Sequence, residues 1–198
     1  MSGSKTLPDL LREGLDLVFV GINPSEFSAN AGHYFARPGN RFWPCFSAST
    51  LSLPARLGLG VQRLQPIHDR ILPDYGIGFT DVVKNATPNI RTLEDAMLVE
   101  GGRLLRDKFD HYRPRVACFQ GMTGFRPFCR ASGLPWGKSD LVLGLQPFRL
   151  GRVRLFLVPN PSGANAHASR PRQIQWYDQL AECLQRPGTD APTRHGRA

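Results

Sequence analysis

Short apolar runs alternate with helical segments along this chain, and this alternation restricts the possible folds more than any other feature. Three runs have the length and the apolar content of buried strands, and these are residues 15–22, 115–121 and 152–159. A further strand-like run, residues 76–83, is apolar at both ends with Thr80 and Asp81 inside. A shorter strand is predicted at 140–145, the clearest amphipathic helix at 92–109 and a closing helix at 173–185. Strands that alternate with helices predict an α/β fold class, here a three-layer α/β/α sandwich with a mainly parallel central sheet.

The segments between these strands complete the outline of one domain. Thr92 followed by Asp95 resembles a capping box at the start of the long helix, and the glycine pair at 101–102 predicts a close helix contact. We further expect a short helix at 7–11, a long loop at 23–39 and a helix with a buried aromatic face that begins within 40–47. Residues 1–186 form the predicted domain, whereas 187–198 lack an apolar face and are predicted to be disordered.

Charge and cysteine content narrow the possible partners and compartments. The formal net charge is +9, and an excess of Lys and Arg favours a polyanionic partner because binding releases counterions from phosphates. Charge alone does not distinguish nucleic acid from an anionic membrane surface. No CxxC pair occurs, and no apolar run approaches the roughly 18 residues of a membrane span. We therefore expect a reduced, cytoplasmic protein without a metal or other cofactor, in which the four cysteines mainly pack the core.

Three loops with polar residues follow strand-like runs, and in a parallel sheet their first residues meet at one edge. They open at Asn23, at Thr80-Asp81 and at Asn160. An amide can position a water molecule, a carboxylate can accept its proton, and a ring such as Phe35 can stack on a base flipped out of DNA. Each residue also has a structural interpretation, because Asn before Pro is usually a turn residue and an aromatic ring is by default part of the core. The chemistry of these residues alone leaves both interpretations open.

Four segments carry a resemblance to a known family. They are residues 21–43 (GINPSEFSANAGHYFARPGNRFW), 76–88 (GIGFTDVVKNATP), 100–121 (EGGRLLRDKFDHYRPRVACFQG) and 157–165 (LVPNPSGAN). In residues and in order they resemble the mismatch-specific uracil/thymine DNA glycosylases, a branch of the uracil-DNA glycosylase superfamily. The resemblance extends over residues 15–184, and the first and last motifs are together highly specific.

The resemblance implies a role for each motif. In that family the Asn of GINP holds the water molecule that attacks C1′, and the Thr of the second motif helps to order that water. The resemblance therefore implies catalytic roles for Asn23 and Thr80. Asp81 is a candidate base. The implied base pocket consists of Ile22, Pro24, Ser25, Tyr34, Phe35 and Asn40. The implied loop that enters the duplex consists of Asn160, Pro161, Ser162, Gly163, Ala164 and Asn165, with Arg170 beside it.

The implied activity is hydrolysis of the N-glycosidic bond of uracil in mismatched double-stranded DNA, the step that initiates base excision repair. Thymine and related damaged pyrimidines are further candidate substrates. No lysine lies at a nucleophile position in these motifs, so we expect a monofunctional glycosylase that does not cleave the strand. We expect a monomer with no obligate protein partner and no membrane partner. Contacts with the DNA backbone are predicted for Lys84, Arg149, Arg152, Arg154, Arg170 and Arg172.

Three residues depart from the family pattern. Ser25 stands where bacterial relatives typically carry Gly, which narrows the pocket near C5 of a base and disfavours thymine. Ala164 stands where relatives carry Leu or Arg, so a methyl group fills the vacated stack poorly and weak discrimination of the opposite base is expected. Asp81 stands where relatives have an uncharged or basic residue, and a carboxylate there can act as a base toward water.

Two other functions are compatible with these residues. One is a non-catalytic protein on the same fold that binds damaged or mismatched DNA, which would bind without forming an abasic product. The other is an α/β enzyme that processes small nucleotides or phosphates, a class that usually carries a fingerprint such as GxxxxGK[ST]. That fingerprint does not occur in this chain.

Overall fold

The computed structural model describes residues 5–137, 139–163, 165 and 169–186. A five-stranded sheet forms the central layer, and its strands are β1 Leu17–Gly21, β2 Ile77–Asp81, β3 Val116–Gln120, β4 Gly144–Leu150 and β5 Val153–Val158. The helices are α1 Glu26–Ala31, α2 Phe42–Ala48, α3 Leu53–Leu59, α4 Asp95–Tyr112, α5 Met122–Ala131 and α6 Arg170–Gln185. Short 3-10 turns occur at Thr50–Ser52, Pro66–His68, Leu72–Tyr75 and Ile90–Thr92.

The strand order is β2-β1-β3-β5-β4. Neighbouring strands from β2 to β5 pair in parallel, whereas β4 pairs antiparallel with β5 at one border of the sheet. The predicted α/β architecture with a mainly parallel sheet is therefore confirmed. The parallel strands end level with one another, since Gly21 pairs with Asp81 and Gln120 with Val158. The residues that follow these strands meet at the carboxyl edge.

Two hydrophobic cores lie on the two faces of the sheet, because successive side chains of a strand point in opposite directions. In β1, Phe19 belongs to one core, and Val18 and Val20 belong to the other. The first core is aromatic: the ring of Phe19 lies 4.9 Å from that of Phe42 and 5.9 Å from that of Tyr177, centroid to centroid. Helices α2 and α6 contribute to this core, whereas α4 and α5 contribute to the other.

The segments on either side of β1 differ from the prediction. Residues 7–11 are extended and not helical, because Leu10 exchanges two backbone hydrogen bonds with Phe79 at the border of β2. The predicted loop at 23–39 contains α1, whose first turn is capped by the Ser25 hydroxyl. Both differences place additional ordered chain beside the carboxyl edge of the sheet.

Two other element boundaries were also predicted wrongly. Helix α4 begins at Asp95, and Thr92 lies in a preceding 3-10 turn, so the predicted capping box does not form. The border strand begins at Gly144 and not at residue 140. The predicted close contact at the glycine pair is confirmed, since a Cβ on Gly102 would lie 2.9 Å from the Cα of Phe128 in α5.

All four cysteines are buried and free of disulfides, as the sequence predicted. Within the described ranges, no helix is long and apolar enough to cross a bilayer. Among those same residues, no three His, Cys, Asp or Glu side chains converge in a way that would hold a metal ion. The predicted disordered segment 187–198 and the predicted wedge residue Ala164 lie outside the described residues.

Candidate active site

A cavity of about 370 Å³ opens at the carboxyl edge of the sheet, where β1, β2 and β3 end. Its volume lies in the range of about 300–1,000 Å³ that is usual for small-molecule sites. Four segments supply its walls: the strand ends, the chain between β1 and α2, the segment after β2 and the loop after β5. The structure therefore brings together the three loops that the sequence placed at one edge.

Asn23 is held in one orientation by three acceptors. Its Nδ2 donates to the Thr87 hydroxyl at 2.8 Å and to the carbonyl oxygens of Pro24 and Asn85 at 3.1 and 3.2 Å. A carbonyl oxygen can only accept, so the atom that faces these two carbonyls is the amide nitrogen. Nothing among the described residues donates to the Oδ1 of Asn23, and the residue lines the cavity. The oxygen is therefore available to accept a hydrogen bond from a water molecule.

Asp81 ends β2, and its side chain lines the cavity although the residue is only 3 % exposed. Its Oδ2 has no hydrogen-bond partner in the described part of the chain. Removal from water raises the pKa of Asp81 to about 7, against the attraction of Lys84 and Lys108 and with the repulsion of Asp9. A carboxyl group whose pKa lies near neutral pH is suited to accept a proton from water.

Gly21 makes room for this carboxyl group. A Cβ on Gly21 would collide with the Oδ1 of Asp81 and would lie 3.6 Å from the Cε1 of Phe35. The collision follows from the register of the sheet, in which Gly21 is the direct partner of Asp81. The glycine that opens the GINP motif is therefore required here by the carboxyl group of the second motif.

Phe35 forms an aromatic wall of the cavity. Its ring stacks on that of Phe42 with a centroid distance of 4.3 Å and an interplanar angle of 21°. The backbone of Phe35 has φ of 54°, a left-handed conformation that costs a residue with a side chain about 1–2 kcal/mol. The preceding residue is anchored, since the backbone N–H of Tyr34 donates to the Oδ2 of Asp69 at 2.8 Å. A strained backbone that its surroundings hold in place is typical of a ligand-binding position.

Two further amides reach the cavity. The Oδ1 of Asn40 accepts from the backbone N–H of Phe42 at 2.8 Å, which leaves its Nδ2 as a donor. Gln120, at the end of β3, is buried, and its Oε1 accepts from the Tyr177 hydroxyl at 2.9 Å while its Nε2 lies 3.4 Å from the Sγ of Cys118. Asn40 was among the predicted pocket residues and Gln120 was not.

The other predicted pocket residues, Ile22, Pro24, Ser25 and Tyr34, also line the cavity. The Oγ of Ser25 accepts from the backbone N–H of Ser28 at 3.1 Å, so the cap of α1 fixes this side chain. The hydroxyl of Tyr34 donates to the Pro8 carbonyl at 3.0 Å and accepts from the Nζ of Lys84 at the same distance.

Thr80, which the resemblance assigned to the water, does not line the cavity. It is fully buried, and its hydroxyl donates to the Oδ1 of Asp9 at 2.7 Å. The same carboxylate binds the Nζ of Lys84 at 2.7 Å and that of Lys108 at 2.6 Å. Burial alone would raise the pKa of Asp9, but the two ammonium groups and the Thr80 hydroxyl hold it below its ordinary value. Lys84, a predicted DNA contact, is therefore engaged within the protein.

The loop after β5 forms the remaining wall, where the lining residues are Asn160, Pro161 and Ser162. The side chain of Asn165 turns back into this loop, since its Nδ2 donates to the Asn160 carbonyl at 2.9 Å. Gly163 is exposed, and Arg170 is exposed at the start of α6. The described residues of the predicted DNA-entering loop therefore stand at the mouth of the cavity.

The arginines at residues 149–154 were predicted to contact the DNA backbone, but they lie at the edge of the sheet opposite the cavity. Arg154 pairs with the first residue of β3, so it belongs to the amino edge, opposite the cavity. It is also buried and donates to the Cys183 carbonyl at 2.8 Å, and Arg149 is its partner on β4. The prediction that Arg154 contacts the DNA backbone is therefore wrong, and Arg149 lies at the edge opposite the cavity. Arg37 instead places a cation at the cavity, where it is exposed.

Sequence reasoning missed Thr87, Gln120 and Arg37. The contact between Thr87 and Asn23 joins residues 64 positions apart, and nothing in the spacing of the motifs indicates it. Gln120 did carry a signal, because it ends the third parallel strand as Asp81 ends the second. The direction of each strand therefore indicates more about the site than the identity of its polar residues.

Comparison with protein-family models matches residues 8–185 of this chain to the uracil DNA glycosylase superfamily. The matched stretch contains all five strands and both the Asn23 and the Asp81 walls of the cavity.

Proposed function

Because the chain belongs to the uracil DNA glycosylase superfamily, and is thus a DNA glycosylase hydrolase that acts on DNA, we propose that it excises uracil from mismatched double-stranded DNA. The preferred substrate is uracil opposite guanine, as in the mismatch-specific branch that its motifs resemble. One observation carries the proposal: the oriented amide of Asn23 and the buried carboxyl group of Asp81 line one cavity whose wall is the ring of Phe35.

Capture of the base comes first. Extrusion of a nucleotide from the duplex costs a few kcal/mol, and least for a mismatched pair. Stacking of the extruded base on Phe35 returns roughly 1–3 kcal/mol, and Phe42 supports the ring from its other side. The Nδ2 of Asn40, left as a donor by the cap that its Oδ1 forms, is placed to bind a carbonyl oxygen of the base.

Hydrolysis then breaks the bond between C1′ and N1. The sugar develops oxocarbenium character, and the electron pair of the bond leaves with uracil as an anion. Donors at the cavity wall, including Asn40 Nδ2 and backbone N–H groups of the first motif, stabilise this anion as an oxyanion hole does. Water supplies the new C1′–O bond and gives up a proton, so the products are free uracil and an abasic site.

The water is positioned by Asn23 and deprotonated by Asp81. The Oδ1 of Asn23 accepts a hydrogen bond from the water, and Thr87 keeps the amide from rotating. The carboxyl group of Asp81, which lines the same cavity, takes the proton when it is ionised. Thr80 acts only indirectly, through the carboxylate of Asp9 behind the strand. No covalent intermediate with the protein is needed, so the enzyme is monofunctional.

Base preference depends on the wall near Ser25. Its side chain is fixed by the cap of α1 and lines the cavity, so a methyl group at C5 of a base meets an occupied position. We therefore assign thymine as a poor substrate. The loop from Asn160 to Asn165 enters the duplex, and Ala164, which the resemblance places at the wedge position, contributes little to the choice of the opposite base.

Single-turnover excision from one set of labelled oligonucleotides tests this function. The set contains uracil opposite G, uracil opposite A, thymine opposite G and uracil in a single strand. We expect abasic sites, revealed by hot alkali, to form fastest from the G·U duplex and slowly from the G·T duplex, with no strand cleavage before alkali. Tight binding without abasic product in every arm would instead identify a non-catalytic DNA-binding protein.

A further inference from the structure

One arginine side chain fastens the loop after β5, here called the entry loop and described at residues 160–163 and 165, to the segment before α2. This residue is Arg41. Its Nη2 lies 2.8, 3.1 and 2.7 Å from the carbonyl oxygens of Ser162, Gly163 and Asn165. Its backbone N–H donates to the carbonyl oxygen of Pro161 at 2.9 Å. Among the described residues of the entry loop, Arg41 therefore binds the carbonyl groups of four.

The entry loop and the segment before α2 also touch backbone to backbone. A Cβ on Gly163 would lie 2.7 Å from the carbonyl oxygen of Gly39, so a side chain at this position would force them apart. The entry loop has internal order as well, because Asn160 accepts from the Ser162 N–H at 2.8 Å and its carbonyl accepts from Asn165 Nδ2 at 2.9 Å. The loop is thus a formed unit that Arg41 holds from one side.

On its other side, Arg41 continues directly into the base pocket. The next residue, Phe42, lies under the ring of Phe35, and the preceding residue, Asn40, accepts from the Phe42 N–H. Residues 40–42 therefore connect the stacking ring to the entry loop without any intervening segment. A change in the contact between Arg41 and the loop would change the position of the loop relative to the pocket.

The guanidinium group is suited to this contact by charge and by shape. Several carbonyl oxygens that converge on one point repel one another unless a donor with positive charge lies between them. Arginine offers donors in a rigid planar fork, whereas the ammonium group of lysine is a compact point charge on a flexible stem. All three carbonyl oxygens lie around one nitrogen, Nη2. Lysine keeps the charge, but its ammonium nitrogen is one bond nearer to the Cα, so it would lie farther from these oxygens and bind them less well.

We propose that Arg41 is a positioning residue that latches the entry loop to the base pocket, so that duplex opening and base capture occur in one fixed geometry. This inference rests on the proposed function, in which the entry loop enters the duplex and Phe35 receives the base. Uracil in a single strand needs no duplex opening. The latch is therefore needed for duplex substrates and dispensable for single-stranded ones.

The test compares Arg41→Met and Arg41→Lys with the wild type on a G·U duplex and on the single strand that carries its uracil. Arg103→Met is the matched control, because Arg103 is an exposed arginine of α4 that pairs with Glu100 and Asp107. We expect duplex excision by Arg41→Met to fall about 10- to 100-fold, as for a misplaced group remote from the chemistry. Its excision from the single strand should stay unchanged. The duplex rate of Arg41→Lys should lie between those of Arg41→Met and the wild type. Equal losses on both substrates, or no loss on the duplex, would overturn the proposal.

Hydrogen exchange on the same proteins tests the latch independently of activity. The N–H groups of Ser162 and Asn165 bond within the entry loop and should exchange faster in Arg41→Met, while those of β1 keep the wild-type rate. Unchanged exchange in the entry loop would overturn the latch even if duplex excision falls. If the wild type excises from neither substrate, the proposed function fails, and faster exchange in the loop would still support the latch.

Discussion

Replacement of Asp81 by Asn removes a carboxyl group that the fold holds inside the cavity while it keeps the shape of the side chain. Burial raises the pKa of Asp81 from 3.8 to about 7, with Asp9 adding to the rise and two lysines opposing it. The folded protein therefore binds this proton more tightly than the unfolded chain. The stability associated with the protonated form is present in full below pH 3.8 and is lost as the pH rises to about 7.

The size of this loss follows from the shift. Each pKa unit corresponds to about 1.4 kcal/mol, so between pH 5 and pH 8 the wild type loses about 2 to 3 kcal/mol of stability that Asp81→Asn keeps. The variant should thus be more stable than the wild type at pH 8 and nearly equal to it at low pH. Its excision rate should nevertheless fall about 10²-fold or more, because the base is missing.

Urea denaturation at pH 5 and pH 8, with single-turnover excision across the same range, measures both effects. The wild-type rate should decline below pH 7 as Asp81 takes up its proton, and the residual rate of Asp81→Asn should lack that decline. Asp107→Asn, on the exposed surface of α4, is the control for replacing a carboxylate by an amide outside the cavity. A stability difference between Asp81→Asn and the wild type that does not change with pH would refute the reasoning.

Three further predictions concern the cavity and its DNA face. Gly21→Ala places a methyl group against the Asp81 carboxyl oxygen, so thermal unfolding should show a loss of about 1–3 kcal/mol together with slower excision. Thr87→Val removes the hydroxyl that accepts from the Asn23 amide and should slow single-turnover excision about 10-fold or more, whereas Thr87→Ser should not. In DNA binding measured against salt concentration, Arg37→Ala should lower the slope by about 1, and Arg149→Ala, at the opposite edge, should leave it unchanged.

The architecture could be predicted because the parallel strands are covered on both faces. Their sequences are mostly apolar, as in VRLFLV of β5, where Arg154 is the one charged residue, and such runs stand out from the polar segments between them. The short segment 7–11 could not be predicted in the same way. Its local pattern favours a helix, but two backbone hydrogen bonds between Leu10 and Phe79 decide its structure, and they depend on chain that lies far along the sequence.

The site was predictable to the extent that its residues follow strands. Asn23, Asp81 and Asn160 were expected at one edge and do meet there. Thr80 was expected to face the water, but alternation along β2 directs neighbouring residues to opposite faces, and its hydroxyl binds Asp9 instead. Residue type alone does not indicate the face on which a strand residue lies.

Charge was the weakest guide to the DNA-binding face. The arginines at 149–154 form a basic cluster beside a motif, yet β5 begins at the amino edge, and Arg154 is buried there. The number of basic residues in a stretch contains no information on which edge of the sheet they occupy. The direction of a strand supplies that information. The direction of β5 becomes known only from its parallel pairing with β3.

The measurement that tests the central claim most directly is release of uracil from a labelled G·U duplex by the wild type and by Asn23→Ala, with duplex affinity measured in parallel. If Asn23 holds the attacking water, single-turnover release should fall about 10²-fold or more while duplex affinity stays near that of the wild type. Release by Asn23→Ala at the wild-type rate would contradict the assignment of this cavity as the hydrolytic site.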